Sequence, residues 1–239
     1  MRRHETEESN VFWNYITSFD KLNLDTQHHL KKVYATLTIS TLVAMLGSYA
    51  YIVSEFFRFG IIALIVGIAS IVMLMTTKHT KNNVNIRTGY LMSFAFTSGI
   101  SLGPIISIAM HIDETIVMKA FALTCIIFFC FSMASLKSAS ERKYLYLGGT
   151  ILTLTSVVFS LSLANLFFGS MLLFDITLYA GLGMFLMYIL YDTQLIVYKF
   201  DNGDDDYIKH SLDLFIDFVA IFRRLVIILA MNNEKKSKK

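Results

Sequence analysis

Three aspartates interrupt long apolar runs in the sequence. Asp192 lies in the run 176–198, and Asp213 and Asp217 lie in the run 211–230. A charged side chain at the centre of a bilayer costs roughly 3 kcal/mol or more, so intramembrane acids usually face the interior of a helix bundle or a water-filled cavity. These three carboxyl groups are therefore the first candidates for function.

Asp192 and Asp217 are predicted to lie at the same depth. Asp192 lies about six residues before its run ends and Asp217 about six after the next begins, which places each about 9 Å below the same membrane surface. Two carboxyl groups close together in a low-dielectric site cannot both ionise at low cost, so they titrate as a coupled pair. The pair is a candidate pH sensor, in which deprotonation creates two repelling charges that open the site or attract calcium. The alternative is that these aspartates only cap or hydrogen-bond neighbouring helices.

A polar stripe is predicted along the last run. Asp213 and Asp217 are four residues apart and share one helical face, and Arg224 returns to within about 20° of Asp213. Because the stripe makes this run weakly hydrophobic for a lipid-facing span, we expect a helix surrounded by the other six. Asp213 and Arg224 are candidates for supporting a pore or a gate.

Four acids crowd the segment between the last two runs, namely Asp201, Asp204, Asp205 and Asp206. An EF-hand needs ligands at alternating positions and a distant bidentate glutamate, and the segment lacks this spacing. Two interpretations remain: a solvated turn that N-caps the last helix, and a loop that attracts cations weakly at the mouth of a pore. No fixed metal site, cofactor or catalytic group is predicted.

Membrane-spanning helices are the elements that must position these residues. Of the 239 residues, 55% are hydrophobic and 16% are charged, with a single proline, whereas a soluble domain has about 25% charged residues. The composition therefore excludes a large soluble domain, and the net charge of +3 does not indicate nucleic-acid binding.

The fold class predicted is an all-α integral membrane protein, a seven-transmembrane-helix bundle. A spanning helix needs about 20 mostly apolar residues, and the candidate runs are 33–54, 59–77, 89–110, 115–136, 144–168, 176–198 and 211–230. Residues 1–32 are predicted to form a cytosolic N-terminal segment, 33–230 the membrane domain and 231–239 a basic tail.

The distribution of bases predicts the orientation. Thirteen Lys and Arg residues fall on one side of the predicted membrane domain and only Arg58 and Lys119 on the other, which places the N terminus in the cytosol. The tail conflicts with this rule if the last run spans, because it carries Lys235, Lys236, Lys238 and Lys239. Either the rule is overridden late in the chain, or the last run re-enters and the tail stays cytosolic.

Other residues have simpler interpretations. Gly99 and Gly103 form a small-xxx-small pair, which predicts a close helix–helix approach. Tyr34, near the start of the first run, is typical of an aromatic residue at the membrane interface. The histidines at or just outside the ends of the runs are expected to be surface residues, namely His28, His29 and His111.

Several strings resemble the transmembrane BAX-inhibitor-motif family. They are QHHLKKVYA at 27–35, GISLGP at 99–104, NLFFGS at 165–170, YDTQLI at 191–196 and GDDDYI at 203–208. The resemblance extends from about residue 27 to the basic tail and is most specific in about the last fifty residues. It implies a seven-helix bundle of the endoplasmic reticulum membrane that lets calcium leave the store, responds to cytosolic pH and suppresses cell death.

The resemblance also implies roles for particular residues. The family's pH-sensing pair corresponds to Asp192 and Asp217, with Asp213 as a neighbouring acid, and the basic tail corresponds to the four C-terminal lysines. The implied partners are the lipid bilayer, calcium ions and protons, and Bcl-2-family or other membrane proteins. Some bacterial relatives latch the sixth-helix aspartate with an arginine of the second helix, but the run 59–77 contains no Arg or Lys.

An intramembrane protease and a membrane scaffold are the alternatives to a calcium channel. An intramembrane aspartyl protease also uses two membrane aspartates, but the residues before Asp217 are Leu-Phe-Ile rather than Gly-x-Gly, so the protease signature fails and no enzyme is expected. A membrane scaffold that binds cell-death regulators without transport needs only exposed faces or the basic tail. Ion flux by the purified protein distinguishes the scaffold from the channel.

Overall fold

Seven helices make up the described part of the chain. The computed structural model describes residues 22–55 and 60–237, in which no β-strand occurs. The helices are α1 (Leu24–Val53), α2 (Gly60–Thr76), α3 (Val84–Ile112), α4 (Thr115–Lys137), α5 (Leu147–Phe168), α6 (Met171–Asp201) and α7 (Tyr207–Ser237). Two short 3₁₀ helices, Ala139–Glu141 and Lys143–Tyr146, connect α4 to α5. The predicted all-α fold is confirmed, with one helix for each apolar run.

The helices differ in how well they suit a lipid environment. Within the described residues, α1, α3, α4, α5 and α6 are long and apolar enough to cross a membrane, while α2 is apolar but has 17 residues. At about 1.5 Å per residue, α2 still measures about 26 Å, close to the thickness of the hydrocarbon core. Only α7 is too polar to qualify by composition.

The polar helix α7 lies at the centre of the bundle, as predicted. Its fully buried side chains include Ile208, Leu212, Leu214, Phe215 and Ile221. It packs most extensively against α1, α3, α4 and α6, while α2 lies mainly on α3 and α5 mainly on α6. Protein rather than lipid therefore surrounds the polar groups of α7.

The antiparallel helices give the bundle two faces. The face that carries the start of α1 and the loops 77–83, 138–146 and 202–206 is called the basic face here. At the opposite face, Asn233 of α7 donates a hydrogen bond to Asp113 of the α3–α4 loop over 3.1 Å. An unbroken α7 of 31 residues, about 46 Å long, therefore connects the two faces and corresponds to the spanning alternative.

Several residues used for the orientation lie outside the described part of the chain. These are the bases of residues 1–21, together with Arg58, Lys238 and Lys239. Cytosolic placement of the basic face therefore remains a prediction from the distribution of charge. The division into an N-terminal segment, a membrane domain and a tail remains a prediction as well.

Glycines allow α1 and α3 to pack closely. A Cβ atom at Gly99 would collide with the backbone of Ala44, and one at Gly103 would collide with the ring of Tyr51. On the facing helix, a Cβ atom at Gly47 would meet the carbonyl group of Phe96. The close approach predicted from the small-xxx-small pair is confirmed.

Gly99→Ala is expected to destabilise the protein by about 1–3 kcal/mol, because the methyl group must push apart two backbones in contact. Gly89→Ala in the same helix is the matched control, since nothing lies within 4 Å of a Cβ atom there. The control should be neutral or slightly stabilising, because alanine favours helix more than glycine does. Thermal unfolding in detergent measures both variants, and equal melting temperatures would contradict the packing assigned to Gly99.

Candidate functional site

The carboxyl groups of Asp192 and Asp217 meet between α6 and α7. The two side chains are close enough to act on each other by charge and by hydrogen bonding, and Asp217 is only 2% exposed. An ionised carboxylate can only accept hydrogen bonds, so a bond between two carboxyl groups needs a proton on one of them. The arrangement is therefore suited to hold one proton between two helices.

The electrostatic surroundings of this carboxyl pair are mixed. Asp213 lies one turn before Asp217 on α7, and its charge acts on both members of the pair. Lys199 at the end of α6 acts on Asp192 and, together with Lys209, on Asp213. Within the described residues, one oxygen of Asp217, Oδ2, is buried without a hydrogen-bond donor.

Three hydroxyl groups lie together between helices, and one of them belongs to the residue that follows Asp192. They belong to Tyr34 of α1, Ser132 of α4 and Thr193 of α6, the residue after Asp192. All three hydroxyl oxygens are buried, and none is aligned to donate a hydrogen bond to another group in the described part of the chain. The hydroxyl group of Tyr34 points into the bundle, and the interfacial depth of this residue remains a prediction.

Gln194, two residues after Asp192, connects α6 to the end of α4. Its side-chain oxygen accepts a hydrogen bond of 2.8 Å from the backbone N–H of Tyr144. Its Nε2 donates to the carbonyl of Ser135 over 3.3 Å and to the hydroxyl of Ser138 over 3.2 Å. The glutamine thus fixes the position of α6 next to the carboxyl pair.

Gln194→Leu is expected to cost about 1–3 kcal/mol of stability, because it leaves the N–H of Tyr144 without its acceptor. Gln27→Leu is the matched control, since Gln27 makes a single side-chain hydrogen bond to the carbonyl of Leu22. Chemical denaturation followed by circular dichroism measures both changes. A loss no larger for Gln194→Leu than for the control would show that the glutamine does not anchor α6.

Arg224 does not join the carboxyl pair. Arg224 follows Asp217 by seven residues on α7, so its backbone is about 10 Å further from the basic face. Its guanidinium group lies over the ring of Phe185 at 4.5 Å and close to Gly181, both on α6. Of the two candidates for pore or gate support, the structure therefore places only Asp213 next to the pair.

A buried ion pair lies at the basic face. Arg87 of α3 is 2% exposed, and its Nη2 donates to Oδ2 of Asp206 over 2.6 Å. Its Nη1 lies 2.7 Å from Nδ1 of His79, which in turn lies 3.4 Å from Oδ1 of Asp206. Burial would raise the pKa of Asp206, but the hydrogen bonds from Arg87 and Lys209 and the charge of Arg87 hold it below its ordinary value.

The acids of the loop between α6 and α7 make separate contacts. Asp206 also caps α7, because its Oδ1 accepts the backbone N–H of Lys209 over 3.1 Å. Asp204 accepts the backbone N–H of Asp206, Asp201 faces the hydroxyl of Thr26 at 3.4 Å, and Asp205 is exposed. No three His, Cys, Asp or Glu side chains converge on a metal site among the described residues. Attraction of cations by this loop remains a prediction.

His29 is buried, contrary to the prediction of a surface position. Its Nε2 lies 3.0 Å from Nδ1 of His210, which is fully buried, and its ring stacks on Phe200 at 4.3 Å. The Nε2 of His210 faces Asp204 at 3.7 Å. These contacts join the N-terminal parts of α1 and α7 to the end of α6.

Comparisons with known proteins identify the family. Residues 26–234 match the family model described as inhibitor of apoptosis-promoting Bax1. The chain is 41% identical to Bax inhibitor 1 of Rattus norvegicus over 228 residues, covering 95% of this chain and 96% of that protein. The chain belongs to this family.

Relatives in this family occur in plants as well as in mammals. The chain is 39% identical to Bax inhibitor 1 of Homo sapiens, covering 95% of this chain and 96% of that protein. It is 37% identical to Bax inhibitor 1 of Arabidopsis thaliana, covering 94% of this chain and 90% of that protein. The matched range, residues 26–234, contains Asp192, Asp217, Gln194, Arg87 and Asp206.

Proposed function

We propose that the protein is a pH-sensitive calcium leak channel of the endoplasmic reticulum membrane. In this proposal it lowers store calcium and suppresses apoptosis, and the carboxyl pair of Asp192 and Asp217 gates the pathway. The observation that carries the proposal is the close approach of these two carboxyl groups inside the bundle, where each acts on the other. The description of the family and the names of the relatives support the part that concerns apoptosis.

In the proposed closed state, the pair holds one proton and its hydrogen bond joins α6 to α7. Loss of the proton leaves two negative charges, which repel each other by about 4 kcal/mol at 4 Å and an effective dielectric constant of about 20. The charge of Asp213 adds to the repulsion, whereas Lys199 and Lys209 oppose it. Deprotonation therefore favours separation of the two helices at this depth.

The same step prepares the site for calcium. Calcium prefers carboxylate and carbonyl oxygens, and separation of the pair would present the carboxylates of Asp192, Asp213 and Asp217 together. Both helices would stay anchored on the basic-face side of the pair, because Gln194 holds α6 against the end of α4 and Asp206 holds the start of α7 against Arg87 of α3. The separation would then begin at the pair and extend towards the opposite face.

The proposal includes location and partners. The excess of bases at the basic face supports a cytosolic position for this face and the N terminus, in which case the pair responds to cytosolic pH. Bcl-2-family proteins or other membrane proteins are the proposed protein partners, and no enzymatic activity is proposed.

Calcium efflux from liposomes tests this function. The purified full-length chain is reconstituted into calcium-loaded vesicles, and an external fluorescent indicator follows efflux at several pH values. If the protein is the proposed channel, efflux should exceed that of protein-free vesicles and should rise with pH. Absence of efflux at every pH, with retained binding of a Bcl-2-family protein, would contradict the channel and support the scaffold alternative.

A further inference from the structure

A second polar region lies towards the opposite face, between α5, α6 and α7. It is a cavity of about 590 Å³. The polar side chains that line it are Ser162, Asn165, Thr177, Arg223 and Arg224. Among the described residues, no acidic side chain lines the cavity, and Asp175, which precedes the lining residue Thr177 on α6, is not part of its wall.

The two arginines have no acidic partner in the part of the chain that the structure describes. Arg224 donates one hydrogen bond, to the carbonyl of Ala220 in its own helix over 3.0 Å, and otherwise lies against Phe185. Arg223 is exposed on the outer side of α7. A guanidinium group has five N–H donors, so most of the donors of this pair remain available. The arrangement favours a ligand that is an anion with several acceptor oxygens.

Asn165 gives a second indication of a polar ligand. Its side-chain oxygen is buried without a hydrogen-bond partner among the described residues. The oxygen and nitrogen of an asparagine amide can exchange places by rotation, so either end of this group can face the cavity. The cavity therefore offers an amide group beside two cationic donors.

The surroundings of the cavity are apolar and exposed. The turn between α5 and α6 consists of Gly169, whose φ is 59°, and Ser170. The apolar side chains on either side of this turn are 70–83% exposed, namely Leu166, Phe167, Phe168, Met171 and Leu172. In a membrane protein such a surface contacts lipid, so a ligand that reaches the cavity along it carries hydrocarbon chains.

We propose that this arginine cavity binds the phosphate group of a phospholipid from the leaflet at the opposite face. Arg223 and Arg224 donate hydrogen bonds to the phosphate oxygens, and the acyl chains lie along the exposed apolar side of α5 and α6. Guanidinium groups match phosphate geometry and interact strongly where water is scarce. An arginine exposed at membrane depth also draws headgroups and water towards itself, which brings the phosphate within reach.

Native mass spectrometry of the delipidated full-length protein tests this site. Dioleoylphosphatidylcholine is titrated against dioleoylglycerol, which has the same chains and lacks the phosphate. The wild type is expected to retain the phospholipid with a preference of at least about tenfold, as two charge-assisted hydrogen bonds allow. Arg223→Gln with Arg224→Gln should remove the preference, while Lys119→Gln, an exposed base near the same face, should preserve it.

A second variant keeps the test valid if the double arginine variant does not fold. Thr177→Phe fills the cavity and retains both arginines, and it should also reduce the preference. Equal retention of the two lipids by the wild type would overturn the proposal, as would an unchanged preference in either cavity variant. Displacement of the phospholipid by inorganic phosphate at equal concentration would assign the cavity to a free anion and would overturn it as well.

Discussion

Asp217→Asn is expected to make calcium efflux independent of pH and to hold it at the low level of the protonated wild type. Asparagine resembles a neutral carboxyl group that cannot lose its proton, so the repulsion that opens the pair never develops. A repulsion of about 4 kcal/mol at an effective dielectric constant of about 20 corresponds to more than a hundredfold change in an equilibrium, and about 1.4 kcal/mol already gives tenfold. Efflux at alkaline pH should therefore fall by at least about tenfold.

Asp192→Asn should have the same effect, because either substitution leaves a single carboxylate. The double variant should be no worse than either single variant, since both residues act as one unit. Asp213→Asn is the comparison variant: it removes a charge that acts on the pair and one of the three proposed calcium ligands, so it should shift the midpoint of the pH profile and lower efflux while the dependence on pH persists. A profile that keeps its amplitude in Asp217→Asn would contradict the gate assignment.

Arg87→Met is expected to be the most destabilising of the substitutions at the basic face, at about 3–5 kcal/mol. It leaves the mostly buried carboxylate of Asp206 without its cationic partner, and removal of one member of a buried ion pair costs far more than the pair itself contributes. Thermal unfolding in detergent measures the loss. Lys143→Met is the matched control, because its ion pair with Glu141 is exposed and such pairs contribute about 0–1 kcal/mol.

The pH dependence of stability gives an independent check on this ion pair. The pKa of Asp206 is held below its ordinary value in the folded protein, so the stabilisation is fully present above about pH 4, the ordinary value for aspartate. It is lost as the pH falls through the lower pKa of the folded state. The wild type should therefore exceed Asp206→Asn in stability at neutral pH and lose this advantage in acid. A constant difference at all pH values would contradict the ionic role of Asp206.

The features predicted correctly from sequence are those encoded in short windows. Each apolar run predicts one helix because a bilayer requires about 20 apolar residues for a span. The polar face of the last run predicts that α7 is central, and Gly99 with Gly103 predicts the close contact with α1. Equal numbers of residues from the α6–α7 loop place Asp192 and Asp217 near one another, because the helical rise is constant.

The features that sequence analysis missed join distant parts of the chain. Arg87 and Asp206 are 119 residues apart and His29 and His210 are 181 apart, so no local spacing could pair them. Arg87 precedes the predicted run 89–110, although it lies in the first turn of α3. For Arg224, helical periodicity gave the correct angle about α7 but did not account for an axial separation of about 10 Å from Asp217.

Infrared difference spectroscopy of the reconstituted wild type tests most directly whether the pair holds a proton that controls the pathway. A protonated carboxyl group has a carbonyl band that disappears on ionisation. The account predicts that one such band disappears with the same pH midpoint as the rise in calcium efflux, and that Asp217→Asn lacks this change. No loss of a protonated carboxyl band over the pH range in which efflux rises would contradict it.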